Sequence, residues 1–548
     1  MNLSAANPKM AGMLLAVCLV AGANSGGRQQ KEPGAQAPRQ QERRCCDAMP
    51  QGKTKERAQE RPDVERFAAR VETILAAQNS SKAEWGILIQ DEATGETLFD
   101  RNAQKYFSPA SNLKLFTTAL ALATLGPDFT FTTSVEATGN VLSDGRVNGD
   151  LILAGAGDPN LSNRKFPFVK QVEHDGPPEK VLAQFADAIV ARGVKQVDGD
   201  VIADDSLYSC ERYPSGWEID DMVWSYGAAV SALSVNDNTV TLTLSASEQE
   251  GGATSFTVEP WSDEIEVENN VVTGPASAKP EPVLVREPGS RRVILRGTLP
   301  ARSAPRTLVL AVEQPAENAA HLLKHLLEVR GVHITGSARA RHWPEAQPKT
   351  SVRLAEQTSV PLADALPAVN KMSQNLHAEM LFRFAARTSG GAMTLEDALK
   401  FAAGFYESIG INKNDLVLQD GSGLSRRNLV TPEAVVALLQ YAAKQTRWVD
   451  AYKVSLPIAG EDGTLADRMK NTSAAGRIRA KTGTLEHVMA VSGYATTLAG
   501  ERLVFSMFGN NFGGKNHDGT SVLDAICEAM VDELGARPPT AEQKGRAN

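Results

Sequence analysis

Ser108-Pro-Ala-Ser-Asn-Leu-Lys-Leu-Phe-Thr-Thr-Ala-Leu-Ala-Leu122 is the stretch on which the reading of this chain turns. From Leu113 onward it is apolar almost all round, as the helices of a protein interior are. It stops at Gly126-Pro127, a glycine C-cap followed by a residue that cannot continue a helix. Yet Lys114 follows Ser111 at a spacing of three, which places both on one helical face. Burying an ammonium without a partner is expensive, so a plain core helix should not carry one. A serine hydroxyl is a poor nucleophile until a base removes its proton. A lysine can be that base when burial or nearby positive charge depresses its pKa. Ser-x-x-Lys alone also fits a lysine snorkelling from a helix edge.

Outward from this helix, 63–77 has helical periodicity, with Val64, Phe67, Ala68, Val71 and Ile74 or Leu75 on one stripe. Trp85–Gln90 and Thr97–Phe99 read as a hairpin about the turn Ala93-Thr94-Gly95-Glu96. Between 139 and 351 short alternating strands dominate: Asp150–Leu153, Val197–Ile202, Thr239–Leu244, Glu264–Val267, Arg292–Leu295 and Thr307–Val312. One clear helix, Ala316–Val329, interrupts them. Helices return from Pro361, and strands Val488–Thr497 and Glu501–Asn510 precede a closing helix, Ser521–Leu534. This pattern predicts an α/β domain formed by 63–138 and 352–538, with a β-rich insertion over 139–351. The insertion is long enough for two small domains, the inner one near 236–305.

The ends carry less. With 548 residues, 42% of them apolar, the chain can bury a large core, and its net charge of -8 argues against nucleic acid as partner. After Lys9 an apolar run too short to span a bilayer ends in Ala21-Gly22-Ala23, which predicts a signal peptide over 1–23 and export to the periplasm. Val17 before Cys18 disfavours a lipoprotein, a retained anchor is disfavoured too, and loose membrane association is left open. Residues 24–62 are polar, without periodicity, and read as a disordered tether. Cys45-Cys46 lacks the second ligand pair of a zinc site. Cys210 and Cys527 lie far apart, and their spacing leaves pairing open. His321 and His325 lack the glutamate of a zinc-protease helix and read as ordinary helix residues. No metal or organic cofactor is called for.

Two further segments give the serine and lysine a context. Lys371-Met-Ser-Gln-Asn-Leu-His-Ala-Glu-Met380 places Ser373-Gln374-Asn375 between two helices, and Ala480-Lys-Thr-Gly-Thr-Leu485 places Lys481-Thr482-Gly483 beside the terminal strands. S-x-x-K, S-x-N and K-T-G in this order are the motif set of penicillin-binding proteins and serine β-lactamases. The roles interlock. Ser111 is the nucleophile and Lys114 its base. Ser373 can pass a proton between Lys114 and the leaving nitrogen, and Asn375 can bond a substrate amide. Lys481 would help keep Lys114 neutral and attract a substrate carboxylate, which Thr482 can also bond. Gly483 would let substrate backbone approach the strand. The N–H groups of Ser111 and Thr484 would make an oxyanion hole. His377 and His487 stand next to these motifs as candidate cleft-lining residues.

Asp420-Gly-Ser-Gly-Leu-Ser-Arg426, Gly155-Ala-Gly-Asp-Pro-Asn-Leu161, Leu233-Ser-Val-Asn-Asp-Asn238, Gly460-Glu-Asp-Gly-Thr-Leu465 and the long insertion before Ser373 extend the likeness. Over about 63–534 the chain resembles the D-alanyl-D-alanine carboxypeptidase/endopeptidase family of low-molecular-mass class C penicillin-binding proteins. The resemblance implies a serine β-lactamase/DD-peptidase-like domain interrupted by two small β-rich domains. It implies hydrolysis of D-Ala-D-Ala termini or cross-links in peptidoglycan stem peptides through a Ser111 acyl-enzyme, and acylation by β-lactam antibiotics. It also implies recognition of a diaminopimelate side chain by an insert aspartate, for which Asp204 is preferred, and by Arg426. Gln374 stands where the commoner form of the second motif has aspartate. The rival readings are a β-lactamase or esterase with the same catalytic set, and a non-catalytic wall-binding protein.

Overall fold

The structure, a computed structural model, describes residues 61–535 apart from 78–79, 172, 346–349 and 514–515. The expected signal peptide, nearly all of the expected tether and Cys45-Cys46 lie outside the described residues. The frame of the catalytic part is a five-stranded antiparallel sheet. Its order is Ile478–Leu485, Val488–Thr496, Arg502–Asn510, Glu84–Asp91, Thr97–Arg101. Helix α1 (Pro62–Leu75) and the closing helix Asn516–Glu533 cover one face. There Phe67 and Val71 meet Leu503, Phe505, Met507, Ile526 and Met530. Alternate residues of the same strand, Val504 and Phe508, point to the opposite face and meet α2 (Lys114–Leu125). That is the period-2 alternation of a strand covered on both sides. Buried on every side, α2 needs apolar residues all round, as its sequence has.

The insertion leaves and rejoins this frame through a second sheet. Its order is Ala338–Arg341, Val201–Asp204, Leu151–Ala154, Thr132–Ala137, Val352–Thr358. The outgoing strand Thr132–Ala137 and the returning strand Val352–Thr358, which fall just outside the expected insertion bounds of 139–351, pair antiparallel within this sheet. Two helices pack on it, α3 (Lys180–Ala191) and α4 (Pro315–Val329). Sequence reading found only the second, so the insertion is less purely β than expected. The run read as one strand over Val197–Ile202 is two, Gln196–Val197 and Val201–Asp204, in different sheets. Beyond it, two three-stranded sheets close over Val240, Leu242, Val293, Leu295 and Leu310, and their strands run from Thr239 to Ala311.

Candidate active site

Ser111 sits in one turn of 3₁₀ helix, Ala110–Leu113, that leads into α2. Ala110 ahead of it has φ 46°, a conformation that L-residues adopt only when their surroundings enforce it. Two glycines make that enforcement sterically feasible. A Cβ on Gly423 would stand 1.9 Å from the Ala110 carbonyl oxygen, and one on Gly483 would stand 2.6 Å from that of Pro109. Gly483 is therefore required by the nucleophile's own turn as well, a role the sequence did not suggest.

Lys114 is wholly buried, and its Nζ reaches Ser111 Oγ at 2.8 Å, Asn375 Oδ1 at 2.6 Å and the Ser422 carbonyl at 2.7 Å. The amide and peptide oxygens can only accept. A neutral amine has two N–H bonds to give them, which leaves its lone pair for the Ser111 hydroxyl. Burial pushes the Lys114 pKa down to about 7, against the opposing pull of Asp420 and Glu379. Lys481, also buried, donates to Ser373 Oγ at 2.9 Å and to the Thr482 carbonyl at 2.8 Å. Burial first, and then Lys114, hold it well below the ordinary lysine value. Of the two expected causes, burial thus leads the depression of Lys114.

Ser373, at φ 60°, lies between α5 (Leu362–Asn370) and α6 (Asn375–Gly390). Its hydroxyl is held by Lys481 rather than by Lys114, so the expected direct relay between Ser373 and Lys114 is not formed here. Asn375 bonds Lys114 through its oxygen and the Tyr226 carbonyl through its nitrogen at 2.8 Å. It thereby positions the base. Gln374 caps α6 by accepting from Leu376 N, and its Nε2 donates to Asp237 Oδ2 at 2.9 Å. The same Asp237 is paired with Arg164 and with His377 Nε2 at 2.9 Å. His377 therefore lies beneath the second motif, fully buried, and does not line the cleft. His487 stands at a hairpin turn, bonded to the Phe512 carbonyl.

Residues 460–465 brace two motifs together. Asp462 pairs with Lys371 in a buried ion pair, and the Thr464 hydroxyl bonds Thr482 Oγ1 at 2.7 Å. On the other side Asp420 accepts from the N–H groups of Gly423 and Ser425, from Trp217 Nε1 and from Asn428. Glu379 accepts from Gly421 N and Ser422 N, and burial, followed by the Asp420 charge, raises its pKa to about 7. These two acids fix the loop whose Ser422 carbonyl faces Lys114. Ser422 acts through its backbone, so no side-chain pattern could reveal it. Asp237 and Asp420 do stand inside stretches that the family likeness marked.

Ser111, Ser373, Asn375, Arg426 and Thr484 line one cleft of about 480 Å³, with Glu218, Asp221 and Tyr226 contributed by the insertion. Arg426 pairs with Glu218 at 2.7 Å and donates to the Glu486 carbonyl at 3.0 Å. Asp204 is elsewhere. It is 3% exposed and sits at a strand end against Arg341, 3.2 Å away, with Ser206 N on its other oxygen. Its preference as a substrate residue is therefore wrong, and the aspartate in the cleft is Asp221. Nothing in the local pattern distinguishes 204 from 221, since both are acids next to strand or turn residues.

His321 pairs with Asp263 and His325 stacks on Trp261. Cys210 and Cys527 are both free thiols. Residues 67–532 match the D-Ala-D-Ala carboxypeptidase 3 (S13) family. The chain belongs to that family. Among its relatives, a D-alanyl-D-alanine carboxypeptidase of Actinomadura sp. (strain R39) is 36% identical over 479 residues, 86% of this chain and 85% of the relative. The D-alanyl-D-alanine carboxypeptidase DacB of Haemophilus influenzae is 27% identical over 440 residues, 78% of this chain and 85% of the relative. The crystal structure of penicillin binding protein 4 from Haemophilus influenzae has the same fold. It superposes with a TM-score of 0.71 at 24% identity, covering 86% of this chain and 99% of that one. The sheet, the helix that carries Ser111 and the long insertion are thus the S13 arrangement.

Proposed function

We propose that the chain is a serine-type D-Ala-D-Ala carboxypeptidase, and an endopeptidase on cross-linked chains, working on peptidoglycan stem peptides outside the cytoplasm. The observation that carries this is the Lys114 environment. Two acceptor-only oxygens take the amine's hydrogens, and the Ser111 hydroxyl oxygen lies 2.8 Å from its nitrogen. Ser111 Oγ attacks the penultimate D-alanine carbonyl, and its proton passes to Lys114 Nζ. The N–H groups of Ser111 and Thr484 receive the oxyanion. Ser373 protonates the leaving nitrogen as the C–N bond breaks and D-alanine departs, Lys481 reprotonates Ser373, and the proton that Lys114 took from Ser111 passes to Lys481, so both lysines regain their starting states. Water then gives a proton to the neutral Lys114 as it attacks the ester, and Lys114 returns that proton to Ser111 Oγ as the C–O bond breaks.

Substrate lies along the edge strand Ile478–Leu485. At its far end Ala480 N is already bonded to the Pro457 carbonyl, whereas Thr484 and Leu485 face the cleft. An extended peptide adds there as a further strand. Its terminal carboxylate meets Thr482 and Thr484, with the Lys481 charge behind. Further out, Arg426 and Asp221 suit the carboxylate and ammonium of a diaminopimelate side chain.

β-Lactams acylate the same serine. A second crystal structure of the Haemophilus protein holds a β-lactam. The test is mass spectrometry of purified muropeptides incubated with wild type and Ser111→Ala. Wild type is expected to release D-alanine or cut cross-links, and the variant to lose this by about 10⁴-fold or more. Equal activity would remove Ser111 from the mechanism. Rapid turnover of a chromogenic cephalosporin without D-alanine release would favour a β-lactamase instead.

A further inference from the structure

The sheet of the insertion ends in a cluster that the chemistry above does not use. Strands Val201–Asp204 and Ala338–Arg341 run parallel with Asp204 opposite Arg341, so the next residues, Asp205 and His342, emerge side by side. His342 Nδ1 stands 2.6 Å from Asp205 Oδ1, while Asp205 Oδ2 accepts from Ser231 Oγ at 2.9 Å. Cys210 arrives from the following loop. A thiol sulfur, an imidazole nitrogen and a carboxylate oxygen then lie within 4.8 Å of one another. They open into a cavity of about 200 Å³ that Arg212 and Glu317 also line.

The loop is held on both sides of the cysteine. Tyr208 donates its hydroxyl to the Ser231 carbonyl at 3.1 Å, and Ser209 N donates to the Met393 carbonyl at 2.8 Å. Glu211 accepts from Leu395 N at 2.6 Å. Asp205 N in turn donates to the Arg341 carbonyl at 3.0 Å. All three donors are therefore presented by fixed backbone, the first requirement of a metal site. Asp205 is buried, while the His342 side chain is 43% exposed, so an ion can enter from solvent.

We propose that Asp205, Cys210 and His342 form a site for one divalent cation of the zinc class, with water or Glu317 in the fourth position. A thiolate, an imidazole and a carboxylate together select zinc or cobalt over magnesium or calcium. The two anionic ligands neutralise the ion, so Arg212 on the cavity wall meets no excess positive charge. The ion takes the place of the proton between His342 Nδ1 and Asp205, which leaves the imidazole neutral with its proton on Nε2, and the Cys210 thiol releases its own proton to solvent. Three metal–ligand bonds form, and no electrons are transferred. Bonds of about 2.0–2.3 Å require the His342–Asp205 contact to open by less than 1 Å, which the half-exposed imidazole can supply.

Cobalt titration of the full chain tests this, read as the thiolate-to-cobalt charge-transfer band and its loss on adding zinc. Wild type should show one equivalent, and so should Cys45→Ser/Cys46→Ser, which removes the adjacent thiols of the N-terminal tail. Cys210→Ser should lose the band, and His342→Ala should weaken cobalt binding at least tenfold. All variants should be acylated by fluorescent penicillin at the wild-type rate, which verifies folding. A band that survives Cys210→Ser, or vanishes only with Cys45 and Cys46, overturns the proposal. So does the lack of any band in penicillin-reactive wild type.

Discussion

The floor and the rim of the cleft hold charges under opposite regimes. At the floor, Lys114 and Lys481 are wholly buried, and the three hydrogen bonds of Lys114 measure 2.6 to 2.8 Å. At the rim, Arg426 and Glu218 are paired at 2.7 Å while 33% and 54% of their side chains remain exposed. Desolvation sets the protonation state below, and each polar atom there depends on its assigned partner. Water screens the pair above, so a substrate can exchange for one member at little cost. Under the proposed mechanism, charged side chains therefore serve as a proton-transfer device at one depth and as a replaceable recognition surface at the other.

Lys114→Met breaks the floor most severely. It removes the base and leaves the Asn375 and Ser422 oxygens without their donor. Penicillin acylation should fall by about 10³-fold or more, measured by stopped-flow labelling. In wild type the neutral amine predominates above a pH of about 7. Acylation should accordingly drop about tenfold per pH unit below 7 and level off above it. A flat profile from pH 5 to 9, or a Lys114→Met protein that labels normally, would show that burial does not set the base.

Asp237→Asn probes the floor from the side of the insertion. This carboxylate joins Arg164, His377 and Gln374, and its pKa is held well below the usual carboxylate range by Arg164 and then His377, against the cost of burial. Asparagine tolerates the φ of 56° at this position but leaves the Arg164 charge uncompensated. Loss of a buried charge partner is expected to lower stability by about 3–5 kcal/mol, measured by urea unfolding. Acylation by penicillin should slow by about 10- to 100-fold because Ser373 and Asn375 flank Gln374. Unchanged labelling by a destabilised protein would confine Asp237 to folding.

The floor was largely legible in the sequence, and the rim was not. Ser111, Lys114, Ser373 and Lys481 are named by side-chain type and spacing, and a helix or strand of known period carries each to one place. The Ser422 carbonyl could not be read because any residue supplies one. Asp221 could not be chosen over Asp204 because that depends on how a loop of the insertion folds back over the cleft. Helix α3 was legible and overlooked: Val181, Leu182, Phe185, Ala186 and Ile189 follow a helical period and are all buried. Short strands on either side masked it. Conversely Val197 and Ile202 look like one strand, but Asp200 N bonds to Asp150 Oδ1 and turns the chain between two sheets. Long-range contacts of that kind leave no local signature.

Arg426→Gln and Asp221→Asn move the test to the rim. Each should raise KM for stem peptides bearing a zwitterionic side chain by about tenfold, the size of one lost charged hydrogen bond. Penicillin has no such side chain, and its acylation rate should stay within twofold of wild type. Equal losses on both substrates would place these residues at the floor.

The smallest effect is expected from Glu218→Gln. Its carboxylate sits 2.7 Å from Arg426, which suggests a strong bond, but half of it is in water. Exposed pairs of this kind contribute about 0–1 kcal/mol, and salt weakens them further. The substitution should leave the unfolding midpoint unchanged, leave penicillin acylation unchanged, and shift peptide KM by less than about fivefold. Its direction is informative. Glu218 and an incoming carboxylate compete for the same guanidinium, so releasing Arg426 should lower KM at low ionic strength, and the gain should fade as salt is raised. A rise in KM would mean that Glu218 orients Arg426 for substrate instead of occupying it, and the rim would then share the preorganised character of the floor.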